Sequence, residues 1–416
     1  MRRLLSPPVV FSGTVLALCL ALLAGVDPGA RPAWAASAET FSALVHRLDA
    51  QDWVPPYFAG HVPVFNAPRE EQLLRRMSKE SFTLVPVGLY AYRTSPLRVE
   101  VGKRLFHRYD WGTSQRWRSD ERYMFYALGV STFRDFQSRY GVLGGTDAQL
   151  VGIVGMPAPD GRIDYGWSCA LCHEGAGDGG RPTPGVPNHL YEYGRVRYQG
   201  LVAHDPAPDF ARPGATDHDI PIGHLAALGP GRMDMNADRV ENPVKIPPLW
   251  GLKEVRTGIF ANGSIGNIWF VLGIHNGGIS YPSSELLEAL VAYVLSIEPP
   301  PNPRPKGAAE QRGEKVFERA GCRTCHAGPY YTNGEVISLE VIGTDPERAR
   351  QEFPKGYRVP TLRRLDLQRL FLHDGSIGSL GDLFSRERLK TTGGHLYGLD
   401  LSEAEKRDLV AFLLSL

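Results

Sequence analysis

Two copies of one short pattern constrain this chain more than any other feature. Residues 169–173 read C-A-L-C-H, and residues 322–326 read C-R-T-C-H. In each copy the two cysteines lie about one helical turn apart, so their thiols face the same side, and a histidine follows directly. This is the attachment signature of c-type haem, in which both thiols bond the porphyrin and the histidine binds the iron. We therefore predict two covalently bound haem c groups.

The two motifs use four of the five cysteines in the chain. The fifth, Cys19, lies in a segment that we predict to be removed. The alternative is that both cysteine pairs join as one four-cysteine zinc site, but such a site needs no histidine after each pair. The predicted residues are Cys169, Cys172, Cys322 and Cys325 for covalent haem attachment, and His173 and His326 as proximal ligands of the haem irons.

The N-terminus, residues 1–35, reads as a secretory signal peptide. Arg2 and Arg3 precede an uncharged stretch at 9–26, and residues 33–35 form an A-x-A cleavage site. An uncleaved anchor is the alternative, because the stretch is just long enough to span a bilayer. Haem c is attached outside the cytoplasmic membrane, so we expect a bacterial periplasmic protein with no membrane association after cleavage.

Matched landmarks recur in the same order in both halves of the chain. A glycine followed four residues later by phenylalanine precedes each motif, and a Pro-x-Leu segment and an apolar terminal helix follow it. The second Pro-x-Leu segment is offset from the first by 113 residues and the second terminal helix by 119. In each half we expect the missing side chain of the glycine to let a second helix cross closely, with the phenylalanine packed on it. The landmark pairs are Gly102/Phe106 and Gly313/Phe317, 246–252 and 359–365, and 290–297 and 409–416.

This repeat predicts a mainly α fold, with two c-type cytochrome domains in tandem, duplicated and loop-rich, behind an N-terminal extension. Within the first domain, residues 107–165 form an insertion that we expect to be a surface layer beside the first haem. The formal net charge of +1 gives no reason to expect a nucleic-acid partner. The predicted divisions are the signal peptide 1–35, the extension 36–98, the first haem c domain 99–298, a Pro-rich linker 299–306 and the second haem c domain 307–416.

The sixth ligand of each iron determines whether that haem only transfers electrons or also binds a substrate such as peroxide or dioxygen. No methionine follows Cys322, so the second domain can offer only His373 or His395. His395 lies in a loop just before the last helix, which Ser402 and Glu405 are predicted to cap. Small c-type domains place their sixth ligand in that loop, so His395 is the predicted distal ligand, with a loop histidine bonded to a propionate or water as the alternative. His373 is predicted to structure the His-Asp-Gly-Ser turn.

Several side chains compete for the distal position of the first haem. His275 falls about where His395 falls in the repeat, and His189 lies sixteen residues after the first motif. Met233 and Met235 are further options, and an open or water-bound iron is another. His275 and His189 are the leading distal candidates.

Three tryptophans are candidates for relaying electrons between the haems, because of their positions in the repeat. Burial in the core is the competing interpretation for each, since large aromatic side chains supply much of a core. The three are Trp167, Trp250 and Trp269.

Together these residues resemble the bacterial di-haem cytochrome c peroxidases and their relatives, the methylamine-utilisation di-haem enzymes and the di-haem rubber oxygenases. The resemblance rests on the glycine–phenylalanine helix, both C-x-x-C-H motifs, both Pro-x-Leu segments and the stretch FLHDGS at 371–376. Residues 229–232, 343–348 and 394–398 are similar to motifs of the rubber-oxygenase branch. The resemblance implies a six-coordinate C-terminal haem, with His395 as sixth ligand, that passes electrons to an N-terminal haem.

The chain departs from the family pattern at two places. Residues 261–263 read A-N-G where the family commonly has Trp-Asp-Gly. Residues 368–370 read Q-R-L where the peroxidases have Thr-x-Pro, whose carbonyls hold calcium. Calcium is therefore doubtful as a cofactor here.

The predicted function is that of a periplasmic di-haem c-type cytochrome that transfers electrons and reduces hydrogen peroxide, in a peroxidase-like reaction, at the first haem. The alternatives are a pure electron-transfer cytochrome with both haems six-coordinate, and an oxygen-dependent di-haem oxygenase. A small redox protein or a quinone-linked protein is the expected electron donor, with hydrogen peroxide or dioxygen as substrate. The sequence identifies no catalytic residue.

Overall fold

The computed structural model describes rather more than half of the chain. The signal peptide with Cys19, most of the N-terminal extension, His275 and residues 261–263 lie outside the described residues. In the part that is described, no helix is both long and apolar enough to cross a membrane. The described residues are 72, 75–77, 79–87, 90–108, 133–144, 150–157, 163–196, 225, 227–233, 243–252, 284–343 and 356–416.

The described elements are helices joined by long loops, with short antiparallel strand pairs. In the first half they are β1 (Thr83–Val87), β2 (Tyr90–Thr94), α1 (Pro96–Arg108), α2 (Phe133–Tyr140), β3 (Ile153–Pro157), β4 (Ile163–Trp167), α3 (Ala170–His173), β5 (Arg232–Met233), β6 (Val244–Lys245) and α4 (Ser284–Ser296). In the second half they are α5 (Ala308–Arg319), β7 (Val336–Ser338), α6 (Leu339–Ile342), β8 (Gly356–Arg358), α7 (Leu380–Leu383) and α8 (Glu403–Leu414).

Strands play a minor part in the described chain. They form two-stranded antiparallel sheets, β1 with β2, β3 with β4, β5 with β6 and β7 with β8. No strand in these pairs exceeds five residues. The structure is therefore helix-rich with few short strands, as the sequence predicted.

A glycine determines how closely the two long helices of the first half cross. A Cβ atom at Gly102 in α1 would lie 1.9 Å from the carbonyl oxygen of Ala289 in α4, so only glycine allows this approach. Phe106, one turn further along α1, packs edge-to-face on Tyr293 with ring centroids 5.2 Å apart. The predicted crossing and its phenylalanine contact are thus confirmed.

The second half makes the same crossing. A Cβ atom at Gly313 in α5 would lie 2.0 Å from the carbonyl oxygen of Asp408 in α8. Phe317 packs edge-to-face on Phe412 at 5.4 Å. Asp408 and Phe412 are offset by 119 residues from the α4 residues that α1 meets, which is the offset of the sequence repeat. Both halves therefore pack by one scheme at equivalent positions, and their origin by duplication stays a prediction.

The insertion at 107–165 is more than the expected surface layer. Among its described residues, Tyr140, Leu150 and Ile153 are buried in one cluster with Leu171 and Cys172 of the first motif. The expectation of a surface layer was wrong for these residues, because their apolar side chains cover the buried face of the motif. The insertion thus supplies part of the core around the first candidate haem site.

The tight crossing of α5 and α8 predicts a specific sensitivity to added volume. Gly313→Ala should lower the free energy of unfolding by about 1–3 kcal/mol, the usual cost of overpacking a core. The matched control is Gly378→Ala, because nothing lies within 4 Å of a Cβ atom at Gly378. Denaturant unfolding of both variants tests this, and equal stabilities would contradict the proposed packing.

Candidate haem-binding sites

The first C-x-x-C-H motif is folded as a single helical turn. The backbone N–H of His173 donates to the Cys169 carbonyl at 3.0 Å, which closes the turn between the first cysteine and the histidine. The Asn188 side-chain nitrogen donates to the carbonyls of Leu171 and Gly141, both at 3.0 Å. The motif is therefore fixed to the insertion on one side and to the following loop on the other.

Both cysteines of this motif are buried among apolar side chains. Cys169 is 9% exposed and Cys172 is 2% exposed. Burial raises the pKa of the Cys169 thiol to about 12 and raises that of Cys172 as well. Both sulfurs therefore face an apolar environment, which suits the attachment of an apolar porphyrin edge.

A backbone carbonyl orients the histidine of the first motif. His173 Nδ1 lies 3.1 Å from the carbonyl oxygen of Pro247. A carbonyl can only accept, so Nδ1 donates its proton and the lone pair resides on Nε2. Metal-binding histidines are commonly oriented by a hydrogen bond of this kind at their other nitrogen. Pro247 belongs to the first Pro-x-Leu segment, so that segment positions the predicted proximal ligand.

The second motif has the corresponding geometry in a 3-10 turn, Cys322–Thr324. The His326 backbone N–H donates to the Cys322 carbonyl at 3.0 Å. The His326 ring donates from Nδ1 to the Tyr331 carbonyl at 3.0 Å. Burial lowers the pKa of this ring, and the carbonyls of Tyr331 and Pro360 oppose that shift. Pro360 is the counterpart of the proline that orients the first histidine, at an offset of 113 residues.

The cysteine pairs do not join into a zinc site. All four motif cysteines are described, and none of them forms a disulfide. Among the residues that the structure places, no group of three or more histidine, cysteine, aspartate or glutamate side chains comes together to hold a metal ion. Each pair therefore belongs to its own half of the chain.

The rings of His395 and His326 are spaced as two ligands of one metal ion would be. Their ring centroids are 6.4 Å apart, with an interplanar angle of 47°. A transition metal bonds an imidazole nitrogen at about 2.0–2.1 Å, and the nitrogen lies roughly 1 Å from the ring centre, so two rings on opposite sides of one ion have centroids about 6 Å apart. The two imidazoles could therefore hold a single iron between them.

The loop that carries His395 is fastened by an arginine. Arg388 donates from Nη2 to the His395 carbonyl at 2.8 Å and from Nη1 to the Gly393 carbonyl at 3.2 Å. These bonds hold His395 in the left-handed region, at φ +49°, which a residue with a side chain rarely adopts. Arg388 thus positions the predicted ligand, although no pattern in the sequence marks this arginine.

The electrostatics of His395 suit a neutral ligand. Its Nδ1 atom is buried and has no hydrogen-bond partner among the described residues. Burial, and then the charges of His326 and Arg388, lower the pKa of His395 to about 4. The imidazole is therefore uncharged at neutral pH, which is the form that binds a metal.

The other histidine of the second half has a different environment. The His373 ring stacks on Tyr357, with centroids 4.5 Å apart and an interplanar angle of 21°. Its carbonyl accepts from the backbone N–H of Lys245 at 2.9 Å. In the same turn, Asp374 accepts from the Ser376 backbone N–H at 3.0 Å and from the Ser376 hydroxyl at 2.7 Å. His395, rather than His373, is the histidine that faces the motif.

Both ring nitrogens of His189 are engaged by main-chain groups. Nδ1 accepts from the Arg369 backbone N–H at 2.9 Å, and Nε2 donates to the Ile246 carbonyl at 3.2 Å. Burial, and then the charge of Lys245, lower the pKa of His189 to about 3. In this arrangement His189 bridges the two halves as a neutral ring, with both nitrogens hydrogen-bonded to main-chain groups.

The remaining distal candidates leave the first site less defined. His275 and Met235 lie outside the described residues. Met233 is buried in the apolar cluster that contains the first motif. The distal side of the first site therefore stays a prediction that centres on His275.

Two cations of the first half bind carbonyls of the second half. Arg232 donates from Nη2 to the Gly375 carbonyl at 2.6 Å and from Nε to the Asp374 carbonyl at 3.1 Å. Lys245 donates from Nζ to Gln368 Oε1 at 3.1 Å and to the Leu370 carbonyl at 3.0 Å. No pattern in the sequence predicts these contacts, because the partners are more than one hundred residues apart in the chain.

The Lys245 contacts bear on the doubtful calcium ion. Its acceptors, in residues 368–370, occupy the stretch whose carbonyls hold calcium in the peroxidases that the sequence resembles. Burial lowers the pKa of Lys245 to about 8, with Asp374 opposing the shift, so the ammonium is charged at neutral pH. A side-chain cation thus supplies positive charge at these oxygens, and the presence of calcium stays untested.

No protein-family model matches the chain. Over 123 residues it is 30% identical to the methylamine utilization protein MauG of Methylorubrum extorquens, a match that covers 26% of this chain and 35% of that protein. The match thus spans about a third of the curated relative. It supports the predicted relationship to the di-haem peroxidase superfamily and does not single out the rubber-oxygenase branch.

Two solved structures are similar in outline. A hydrazine synthase of Kuenenia stuttgartiensis, pressurised with xenon, has 15% sequence identity and a TM-score of 0.36, over 81% of this chain and 97% of that one. A MauG-like protein associated with microbial copper homeostasis has 16% identity and a TM-score of 0.31, over 88% of this chain and 95% of that one. TM-scores this low establish neither a shared fold nor a shared function.

The facing histidines predict the result of a single substitution. His395→Ala should convert the second haem from a low-spin to a high-spin or water-bound spectrum, because it removes one of two strong axial nitrogens. His373→Ala is the matched control and should leave that spectrum unchanged. Visible absorption and electron paramagnetic resonance of the purified proteins decide the matter. Survival of the low-spin signal in the His395 variant would exclude His395 as a ligand.

The bridging position of His189 predicts a loss of stability without a change of ligation. His189→Ala leaves the Arg369 N–H and the Ile246 carbonyl without their partner, at a cost of about 1–3 kcal/mol for each buried group that stays unsatisfied. Thermal unfolding should therefore shift downward while the haem spectra stay unchanged. The opposite result, a high-spin first haem with unaltered stability, would make His189 an iron ligand.

Proposed function

We propose that the chain is an exported, periplasmic di-haem c-type cytochrome that passes electrons from its second haem to its first, where hydrogen peroxide is reduced. The observation that carries this proposal is the spacing of two imidazoles at the second motif. The ring centroids of His326 and His395 lie 6.4 Å apart. The sequence similarity to MauG supports the same general assignment. When bound, the two haem groups supply one-electron transfer and an iron centre for cleavage of the peroxide O–O bond.

The second site is proposed to transfer electrons without binding substrate. His326 and His395 would both hold the iron, which would then transfer electrons rather than bind peroxide. Arg388 holds the distal loop in place, and Tyr331 holds the proximal ring through its carbonyl. A rigid pair of ligands changes little between oxidation states, so it suits fast electron transfer.

The first site is proposed to be where substrate binds. The Pro247 carbonyl fixes His173 so that Nε2 is the ligating nitrogen, and the hydrogen bond increases the basicity of that nitrogen. His189 is proposed to serve the contact between the halves, because both of its ring nitrogens are bonded there. His275 is then the leading distal residue, either as a ligand or beside an open position.

Reduction of one peroxide molecule to two water molecules needs two electrons and two protons. The electrons are proposed to come from a small redox protein or a quinone-linked donor, and to enter at the second site. No side chain among the described residues is assigned to proton transfer. The pure electron-transfer cytochrome and the oxygen-dependent oxygenase remain the competing functions, and the experiment below separates all three.

Peroxide should reoxidise the fully reduced protein, with two haem equivalents oxidised for each peroxide molecule consumed. A high-spin first haem should be visible in the oxidised or half-reduced state, since an open or weakly held position gives that signal. Stopped-flow absorption and electron paramagnetic resonance measure both. If no high-spin signal appears and peroxide changes nothing, the protein is a pure carrier. Consumption of dioxygen with an organic substrate, and none of peroxide, would indicate the oxygenase.

A further inference from the structure

One arginine of the second half is buried without a carboxylate to pair with among the described residues. Arg358, the last residue of β8, is 6% exposed. Its Nε atom has no hydrogen-bond partner in the described part of the chain, and Nη1 makes one long bond, 3.4 Å, to the Val359 carbonyl. Burial lowers the pKa of Arg358 to about 10, so the guanidinium is charged at neutral pH. A buried charge is costly unless an anion pairs with it, and no described side chain provides that anion.

The other buried arginines of the described second half have their bonds made. Arg364 pairs with two aspartates, at 2.6 Å and 2.9 Å. Arg388 donates to four main-chain carbonyls, with a shortest bond of 2.7 Å. Burial alone therefore does not explain the environment of Arg358, because this protein supplies acceptors to buried arginines elsewhere.

The repeat places a second cation at the equivalent position of the first half. Lys245 precedes Arg358 by 113 residues, the offset between the two Pro-x-Leu segments. It donates from Nζ to Gln368 Oε1 at 3.1 Å and to the Leu370 carbonyl at 3.0 Å. The cation of the first half thus binds the polypeptide, whereas the cation of the second half keeps donors for another acceptor.

Arg358 lies beside the residues that orient His326. The Val359 carbonyl, which accepts from Arg358, also accepts from the Thr332 hydroxyl at 2.6 Å. Thr332 directly follows the residue whose carbonyl accepts from the His326 ring. Two residues after Arg358, the Pro360 carbonyl opposes the lowering of the pKa of that same ring by burial. The guanidinium therefore belongs to the surroundings of the second candidate haem site.

We propose that Arg358 binds a propionate carboxylate of the second haem, an inference that rests on the proposed function because it needs a haem at Cys322 and Cys325. The two cysteines bond the vinyl groups of the porphyrin, so its two propionates remain as its charged substituents. A guanidinium can hold a carboxylate through two parallel N–H···O bonds, which an ammonium cannot do. Arg358 also adds positive charge near the cofactor, which favours the reduced haem over the oxidised one.

Arg358→Met tests this contact, because methionine fills much of the same space and removes both the charge and the donors. Arg386→Met is the matched control, since it removes one positive charge from the same half at a side chain that is 65% exposed. Both variants are prepared haem-loaded, with an isotopic label at the propionate carboxyl carbons. Redox-induced infrared difference spectra report the labelled carboxylate bands, and redox titration gives the potential of each haem.

In Arg358→Met we expect the labelled carboxylate band that accompanies reduction of the second haem to shift, and the potential of that haem to fall. The bands and potential of the first haem should stay those of the wild type, and Arg386→Met should change neither haem. An unchanged labelled band in Arg358→Met would overturn the inference, even if the potential falls. Shifted bands at both haems would indicate a general change of packing and would also overturn it.

The proposed function can fail separately. If the wild-type protein reduces no peroxide while the labelled band still shifts in Arg358→Met, peroxide reduction is excluded and the inference stands. If the wild-type protein carries no haem at Cys322 and Cys325, both are overturned.

Arg358→Lys covers the case in which Arg358→Met yields no haem-loaded protein. Lysine keeps the charge and loses the paired donors, so the labelled band should shift while the potential of the second haem stays close to that of the wild type. A wild-type band in this protein would overturn the inference.

Discussion

The close approach of two imidazoles is the constraint on which the second half of this protein depends. His326 and His395 face each other at 6.4 Å, and a buried nitrogen of His395 has no partner among the described residues. An unsatisfied buried polar atom costs free energy, and a bound metal ion would give this nitrogen a partner. An iron between the rings would be bound by both imidazoles. Two features then keep the two ligands in position. One is the close crossing of α5 and α8 at a glycine, and the other is the set of hydrogen bonds from Arg388 to the loop that carries His395.

The contact between the halves is built largely from donors of one half and main-chain acceptors of the other. Arg232, Lys245 and Trp250 all donate to carbonyls or an amide of the second half. Arg364 is a donor of the second half that binds the first half. It is fully buried, pairs with Asp366 at 2.9 Å, and reaches Asp178 of the first half at 2.6 Å. Directional bonds of this kind fix orientation more strictly than apolar packing does. A fixed orientation is what electron transfer between two sites requires.

The helix crossings and the helix cap could be predicted from local sequence patterns, whereas the contacts between distant residues could not. The helix crossings followed from a glycine and a phenylalanine spaced by one turn, and the capping box of Ser402 and Glu405 is present as predicted. The role of His189 did not follow, because its partner Arg369 lies 180 residues away and is a backbone N–H that no residue pattern marks. The burial of the insertion was also missed. Its apolar residues are buried because they pack against the first motif, and no local pattern marks that contact.

Diffraction at the iron absorption edge would test the central claim most directly. Anomalous difference maps from crystals of the haem-loaded protein locate each iron without reference to any assumed ligand. The account predicts two peaks, one between the rings of His326 and His395 and the other at the ring of His173. A structure in which the iron of the haem attached at Cys322 and Cys325 lies away from His395, or in which no iron lies between the two rings, would contradict it.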